Sequence, residues 1–180
     1  MKATGIVRRI DDLGRVVIPK EIRRTMRIRE GDPLEIFTDN NGDVIFKKYS
    51  PIGELATFAT QYAEVLNKGT TLPVIICDRD NCVAASGLPK KELLERRLST
   101  QLEDLLEQRK FYILNQGDTY RFFPLEGVDK TAAVAVPILA AGDIAGAVCF
   151  INPETGVIPT EADIKLAQVA AAFLGKQMEE

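Results

Sequence analysis

The segment that most constrains the fold of this chain lies near its N-terminus. Residues 4–10 are rich in β-branched side chains and predict a strand. The apolar run 16–18 predicts a second strand, after a turn in which Gly14 can adopt a positive φ. Pro19 follows directly, and its fixed φ and missing N–H favour the start of a helix, predicted over residues 19–27. The chain therefore changes from strand to helix without a linker.

The same segment concentrates positive charge in an acidic protein. Residues 1–29 contain nine Lys/Arg and three Asp/Glu, a net charge of +6, whereas the whole chain carries −3, which leaves −9 for residues 30–180. One basic segment on an acidic protein indicates binding to a polyanion. Two structural interpretations stay open. Arginines late in a helix favour its macrodipole, and Arg8 or Arg9 can form a surface ion pair with the neighbouring aspartates.

The first 50 residues predict a domain that is incomplete as a single copy. Residues 34–38 and 43–48 predict two further strands, and the Asn41-Gly42 pair between them is a strong hairpin signal. A unit of this size buries too little apolar surface to be comfortably stable alone. The apolar strands offer side chains to both faces of a sheet that one short helix cannot cover. Dimerisation is the simplest way to bury them.

The sequence from Thr4 to Arg24 resembles the AbrB-type swapped-hairpin DNA-binding domain. The resemblance rests on the run Leu13-Gly-Arg-Val-Val-Ile-Pro19, followed by a helix with a double arginine, and it covers residues 1–50. It implies a small β-barrel-like domain whose hairpins swap between the chains of an intertwined homodimer, with double-stranded DNA as the partner. The residues it places against DNA are Arg8, Arg15, Arg23 and Arg24, and we rank Lys2, Arg9, Lys20 and Arg27 behind them.

Arginine suits this role because a guanidinium pairs bidentately with phosphate and with guanine edges. Four arginines per chain become eight in a dimer, which predicts a log–log salt slope of about −7 if all eight contact phosphate. The sequence contains no recognition helix of the helix-turn-helix type. We therefore expect readout to depend on DNA shape and deformability more than on base contacts.

Residues 51–180 predict a second domain that resembles a GAF-type sensor domain. The predicted order is a helix at 51–67, strands at 72–77 and 82–85, helices at 89–98 and 100–109, strands at 111–114, 119–123, 132–139 and 144–151, and a last helix with a capping-box-like start at Thr160 and Asp163. The fold class is thus α+β, a dimeric DNA-binding domain followed by a GAF-like α/β domain. The resemblance implies pairing through the first and last helices as a four-helix bundle, and heptad-like apolar stripes on these helices fit that arrangement, so we expect a tetramer made of two dimers.

The GAF resemblance implies that the second domain can hold a small molecule. Candidate lining residues are the apolar ones where such domains hold ligands, namely Phe111, Tyr112, Phe122, Phe123 and Cys149. The same aromatic residues also fit a plain core. The Asn-Lys…Phe…Asp-Glu signature of cyclic-nucleotide-binding GAF domains is absent, which argues against a cyclic nucleotide. Any ligand is therefore an unidentified small molecule, and no other cofactor is predicted.

Residue usage also limits the chemistry. Histidine is absent, which removes histidine acid–base catalysis and histidine metal ligands, so neither catalytic residues nor a metal site are predicted. Cys77, Cys82 and Cys149 predict reduced thiols that pack as small hydrophobes, with a redox pair of Cys77 and Cys82 as the alternative. No apolar run approaches the ~20 residues that cross a bilayer, and the N-terminus lacks a signal peptide. These features predict a cytoplasmic protein without a membrane partner.

Together these features predict a DNA-binding transcriptional regulator and not an enzyme. Over its whole length the chain resembles a regulator of spore development, which implies that it activates and represses sporulation genes. One alternative is an antitoxin-like protein whose tail neutralises a toxin, but such tails are usually short and disordered, whereas residues 51–180 predict a fold. Another is an enzyme with its chemistry in residues 51–180, although no nucleophile–base pair is found there.

Overall fold

The computed structural model describes residues 4–153 and 157–179 and divides the chain into two compact units, Met1–Tyr49 and Ser50–Glu180. The first unit contains one helix, α1 (Lys20–Thr25), and one antiparallel hairpin of strands β1 (Leu34–Thr38) and β2 (Val44–Lys48), among its described residues. The turn between the strands is closed by the carboxylate of Asp39, which accepts hydrogen bonds from the backbone N–H of Asn41 and Asp43. The hairpin prediction is confirmed.

Helix α1 is shorter than the sequence predicts at both ends. Pro19 is the N-cap residue, just before the first helical residue, and it is buried. At the C-terminal end the N–H of Ile28 donates to the carbonyl of Arg23 at 2.7 Å, and the N–H of Arg27 donates to the carbonyl of Arg24 at 3.3 Å. This is a Schellman ending with Arg27 in the left-handed conformation, at φ 51°. The helix therefore stops two residues before the predicted end.

The strands predicted at residues 4–10 and 16–18 are not formed in the single chain. A strand needs a partner for its backbone N–H and C=O groups, and neither segment pairs with β1 or β2. Between them the predicted turn is present. The N–H of Asp11 donates to the carbonyl of Arg15 at 3.0 Å, and the N–H of Gly14 donates to the carbonyl of Asp11 at 3.1 Å.

The first unit has almost no core of its own. Among its described residues only Pro19 is buried. Its exposed large apolar side chains range from Phe37 at 38% to Val7 at 83%. They come from the N-terminal segment, from the residue that follows α1, from both hairpin strands and from the residue that follows β2: Ile6, Val7, Ile10, Leu13, Val16, Val17, Met26, Ile36, Phe37, Val44, Phe46 and Tyr49. A single copy therefore leaves in water the surface that a folded domain would bury.

The second unit is built on a five-stranded antiparallel sheet with strand order β4-β3-β7-β6-β5. Its elements are α2 (Pro51–Glu54), α3 (Ala56–Gly69), β3 (Val74–Cys77), β4 (Cys82–Ser86), α4 (Lys90–Leu93), α5 (Thr100–Glu107), β5 (Tyr112–Ile113), β6 (Ala132–Ala140), β7 (Asp143–Ile151) and α6 (Glu161–Gln177). No helix in the described part of the chain is both long enough and apolar enough to span a bilayer.

The sheet separates two apolar clusters. Because successive side chains of a strand point to opposite faces, Ile76 and Phe150 pack with α3 and α6, the first long helix and the last helix. Ile75 and Cys149 lie on the other face, with α4, α5 and the segment that follows them. The unit is therefore a three-layer sandwich in which the sheet is covered on both sides.

Three predicted elements differ in the structure. The helix predicted at 51–67 is interrupted at Leu55 and becomes α2 and α3. The helix predicted at 89–98 shrinks to α4, because the backbone beyond it pairs with Cys82, which donates its N–H to Arg96 and accepts from Glu95. The predicted strand at 119–123 is irregular. Long-range pairing thus overrides local helical preference.

The predicted capping box at the start of α6 is confirmed. Thr160 Oγ1 accepts from the N–H of Asp163 at 3.2 Å, and Asp163 Oδ2 accepts from the N–H of Thr160 at 2.9 Å. Thr70, which directly follows α3, also donates its hydroxyl to Asp163 Oδ1 at 2.5 Å. The Asp163 carboxylate therefore joins the end of α3 to the start of α6.

All three cysteines are free, buried thiols. Cys77 and Cys82 are opposite each other in the β3–β4 pair. A hydrogen bond with Cys82, together with burial, raises the pKa of the Cys77 thiol. Burial likewise raises the pKa of Cys149. Neutral buried thiols are poor nucleophiles, so these residues act as small core side chains. No group of potential ligands in the described residues is arranged to hold a metal ion.

Candidate nucleic-acid interface and small-molecule cavity

Helix α1 presents two adjacent arginines to solvent. Arg23 and Arg24 are exposed, whereas Ile22 is half-buried and faces inward. Neither arginine forms an ion pair within the described residues. Their carbonyls take part in the Schellman ending of the helix, so the backbone that carries both guanidinium groups is fixed while the side chains stay available for an anion.

The turn before α1 holds a third arginine in place. Arg15 Nε donates to Asp11 Oδ2 at 2.8 Å, and the backbone N–H of Arg15 donates to Asp11 Oδ1 at 2.8 Å. These bonds, the backbone one first, lower the pKa of Asp11. The surface ion pair considered for Arg8 or Arg9 is therefore formed by Arg15. Its side chain remains 70% exposed and can still meet phosphate.

The remaining basic candidates fall in different settings. Arg8 is exposed, and its guanidinium donates to the carbonyl of Val7 at 3.1 Å. Arg9 and Lys20 are exposed as well. Arg27 is half-buried at the end of α1, and its carbonyl accepts from Lys48 Nζ at 2.9 Å. Lys2 lies outside the described residues.

The second unit contains a cavity of about 320 Å³ at the β5 edge of the sheet. It is lined by residues of β5, of the irregular segment after it, and of the strand ends nearby: Tyr112, Leu114, Asp118, Thr119, Tyr120, Arg121, Phe122, Thr131, Ala132 and Asn152. The Tyr112 ring stacks on Phe122 with centroids 4.8 Å apart and meets Tyr120 edge-on at 6.2 Å. One wall is therefore aromatic.

Two buried polar atoms at this cavity have no hydrogen-bond partner among the described residues, Tyr112 Oη and Asn152 Oδ1. The Asn152 residue is only 5% exposed. A buried polar atom without a partner costs about 1–3 kcal/mol, and two residues that line this cavity each carry one. Burial, and then the charge of Asp118, raise the pKa of the Tyr112 hydroxyl, so it is protonated at neutral pH and can donate a hydrogen bond.

Of the residues that the sequence proposed for a pocket, two line this cavity, Tyr112 and Phe122. Phe111 is 60% exposed on the surface. The carbonyl of Phe123 accepts from Ser99, and Cys149 lies in the core beneath the sheet. Sequence reasoning missed Asn152, although a lone amide at the end of an apolar strand is a usable signal. It also missed Asp118, whose neighbours Asn115 and Gly117 look like ordinary turn residues.

Two family models match parts of this chain. Residues 54–179 match the model of the stage V sporulation protein T C-terminal domain, described as a transcription factor. Residues 7–53 match the model of MazE, an antidote-toxin recognition domain of bacterial antitoxins. The whole chain is 49% identical to stage V sporulation protein T of Bacillus subtilis (strain 168) over 180 residues, which is 100% of both proteins.

The N-terminal unit has further relatives. It is 61% identical over 51 residues to the transition state regulatory protein AbrB of Bacillus subtilis (strain 168), covering 28% of this chain and 52% of that protein. The solved N-terminal DNA recognition domain of AbrB gives a TM-score of 0.25, at 61% identity, over 28% of this chain and 94% of that one. The second unit resembles the GAF domain of an Acinetobacter phosphoenolpyruvate-protein phosphotransferase, at 12% identity and a TM-score of 0.54 over 73% of this chain and 84% of that one.

A mixed α/β chain with an AbrB-like N-terminal domain and a GAF-like second domain is a transcription factor of the DNA-binding class, and the predicted fold class is confirmed. The match over the full length is more specific. The chain belongs to the family of stage V sporulation protein T. The AbrB-type and GAF-type resemblances found in the sequence are both confirmed.

Proposed function

We propose that this protein binds promoter DNA as an intertwined dimer through residues 1–50 and regulates sporulation genes, activating some and repressing others. The observation that carries the proposal is the 61% identity of the N-terminal unit to AbrB, whose corresponding domain is a DNA recognition domain. Residues 51–180 serve assembly and small-molecule sensing. A regulator of this kind works where the chromosome is, in the cytoplasm, and performs no catalysis.

The dimer is supported by what a single copy lacks. The segments 4–10 and 16–18 have the composition of strands but no partner strand. The apolar side chains around them are exposed. A second copy whose hairpin pairs with these segments satisfies the backbone groups and buries the side chains together. Each dimer then carries two copies of every arginine.

DNA contact is assigned to Arg8, Arg15, Arg23 and Arg24. Arg23 and Arg24 are exposed on a fixed helix end, and Arg15 is oriented by Asp11. Asp11 is also a like-charged neighbour for phosphate. The turn that carries Asp11 must therefore keep its carboxylate farther from the phosphate than the Arg15 guanidinium. The two hydrogen bonds between Arg15 and Asp11 favour that orientation. Lys2, Arg9, Lys20 and Arg27 are secondary contacts at most.

A tetramer is assigned to the second unit. Helices α3 and α6 cover one face of the sheet and leave apolar side chains in water on their outer side, including Val65, Val169 and Phe173. Phe173 belongs to a ring cluster with Phe58 and Tyr62, with centroids 6.3 and 5.3 Å away. Two such helix pairs form a four-helix bundle that covers these side chains, and the bundle joins two DNA-binding dimers.

The antitoxin alternative has one observation in its favour, the MazE match of residues 7–53. That match covers residues 7–53 alone, which are most of the first unit and the first four residues of the second. The rest of the chain forms a folded three-layer unit and matches a transcription-factor family over residues 54–179. A folded domain of this kind is unlike a toxin-neutralising tail, so the regulator is the better supported function.

The test is a gel-shift titration of the full chain with a pool of promoter DNA. Arg23→Ala removes an exposed guanidinium that has no ion-pair partner among the described residues, and each dimer loses two contacts. At ~1.5 kcal/mol per charge-assisted contact, affinity falls by about two orders of magnitude, while sedimentation shows the wild-type assembly. Arg96→Ala, an exposed arginine of the second unit, is the matched control and leaves affinity unchanged. If Arg23→Ala and Arg8→Ala both bound DNA with wild-type affinity, neither residue would contribute to the DNA interface.

A further inference from the structure

The cavity at the β5 edge combines features that an ordinary packing defect lacks. Its volume of about 320 Å³ is at the lower end of the range for ligand sites. At the ~30 Å³ that a water-sized group occupies, it holds about ten non-hydrogen atoms. Genuine packing voids are lined by apolar groups, whereas half of this lining is polar or charged. The cavity is therefore suited to a small polar molecule with an apolar part.

Two charges of opposite sign line this cavity without neutralising each other. Asp118 and Arg121 form no ion pair within the described residues. The Asp118 carboxylate is held by its neighbours, since Oδ2 accepts from the backbone N–H of Asn115 at 2.9 Å. This bond leaves Oδ1 available. Arg121 is exposed, and its backbone carbonyl accepts from the Gln101 side chain at 3.3 Å, which fixes the chain beside it.

The charged side chains and the aromatic wall favour the same kind of ligand. Asp118 Oδ1 suits an ammonium group, whereas Asn152 Oδ1 is shielded from solvent and lies behind the lining of the cavity. A carboxylate suits the Arg121 guanidinium. The stacked Tyr112 and Phe122 rings offer apolar surface to a hydrocarbon side chain.

We propose that this cavity binds a free α-amino acid with an apolar side chain, of a size between valine and phenylalanine. The ammonium group lies against Asp118, the carboxylate against Arg121, and the side chain against Tyr112 and Phe122. The inference deepens the sensing role proposed above by naming its site and ligand class. Asn152 directly follows β7, so the site lies at the C-terminal end of that strand.

The experiment titrates the full chain with each common L-amino acid by isothermal calorimetry in the absence of DNA. At least one apolar amino acid binds saturably at one site per chain and raises the melting temperature. For the tightest binder, the analogues that lack the amine or the carboxylate (isocaproate and isoamylamine in the case of leucine) bind at least tenfold more weakly. No saturable binding by any apolar amino acid, or equal binding of an analogue, overturns the proposal.

Matched variants locate the site. Asp118→Asn and Arg121→Ala each weaken binding at least tenfold, because both side chains are exposed and carry no ion pair that the fold needs. Asp129→Asn and Lys110→Ala change exposed charges that do not line the cavity, and they bind like wild type. Wild-type affinity in both cavity variants overturns the assignment. Amino-acid binding is measured without DNA, so the two proposals are tested separately. Failure to bind an amino acid would not count against DNA binding, and failure to bind DNA would not count against amino-acid binding.

Discussion

The carboxylate of Asp163 offers the sharpest test of how the first and last helices of the second unit are held together. It is 9% exposed and accepts hydrogen bonds from the Thr70 hydroxyl at 2.5 Å, the Thr160 hydroxyl at 2.7 Å and the Thr160 N–H at 2.9 Å. Asp163→Ala removes all three bonds. At ~0.5–1.5 kcal/mol for each bond, the free energy of unfolding falls by about 2–4 kcal/mol.

The pH dependence of this contribution has a definite sign. Burial raises the pKa of Asp163, but the hydrogen bonds from Thr70 and Thr160 outweigh it, and the net pKa lies below the ordinary value of 3.8. A group whose folded pKa is lowered stabilises the fold above its unfolded pKa and loses this effect as the pH falls through the folded value. The difference in stability between wild type and Asp163→Ala is therefore constant at neutral pH and shrinks below about pH 4.

Urea unfolding followed by circular dichroism measures the effect. For a unit of this size ~1 kcal/mol corresponds to about 3 °C, so Asp163→Ala also lowers the melting temperature by about 6–12 °C. Glu161→Ala, an exposed acid in the same first turn of α6, is the control and stays within about 0.5 kcal/mol of wild type. If Asp163→Ala matched that control, the carboxylate would not be joining α3 to α6.

Two further predictions concern close packing and assembly. A Cβ added at Gly146 would lie 2.0 Å from the carbonyl oxygen of Cys77 on the neighbouring strand, so Gly146→Ala costs about 3 kcal/mol or more in urea unfolding. Gly69→Ala, whose Cβ would meet only the Leu166 side chain at 3.4 Å, is nearly neutral, and equal stability of the two variants contradicts the reasoning. Phe173→Glu places a charge in the ring cluster of α3 and α6 and should convert the proposed tetramer to dimers in sedimentation. Phe111→Glu changes another exposed aromatic residue and should leave the assembly unchanged. The same assembly in both variants argues against the bundle.

Local signals predicted the elements that depend on local chemistry. The Asn41-Gly42 turn identified the hairpin, and the Thr160–Asp163 pair identified the start of α6. Prediction failed for strands whose pairing depends on residues far away in the sequence or on a second chain. The β-branched segments 4–10 and 16–18 pair with no strand among the described residues. The same apolar pattern nevertheless indicated a unit that needs a partner.

The residues of the candidate sites also differ in how far the sequence predicts them. The exposed arginines near α1 were predictable, because charge density and a sequence resemblance both identify them. The cavity was predictable only through its aromatic residues, Tyr112 and Phe122. Asp118 and Asn152 are far apart in sequence and have no motif spacing, so only the folded sheet edge brings them to one cavity. A hydrogen-bond inventory of the structure is needed to see that Asn152 Oδ1 lacks a partner.

The salt dependence of DNA binding by the full chain tests the central claim most directly. If Arg8, Arg15, Arg23 and Arg24 of both chains in a dimer meet phosphate, the slope of log affinity against log salt concentration is about −7 for the eight contacts. Replacing all four arginines by alanine then brings the slope close to zero, while the assembly stays intact in sedimentation. A variant that keeps the wild-type slope would show that DNA is bound by another surface.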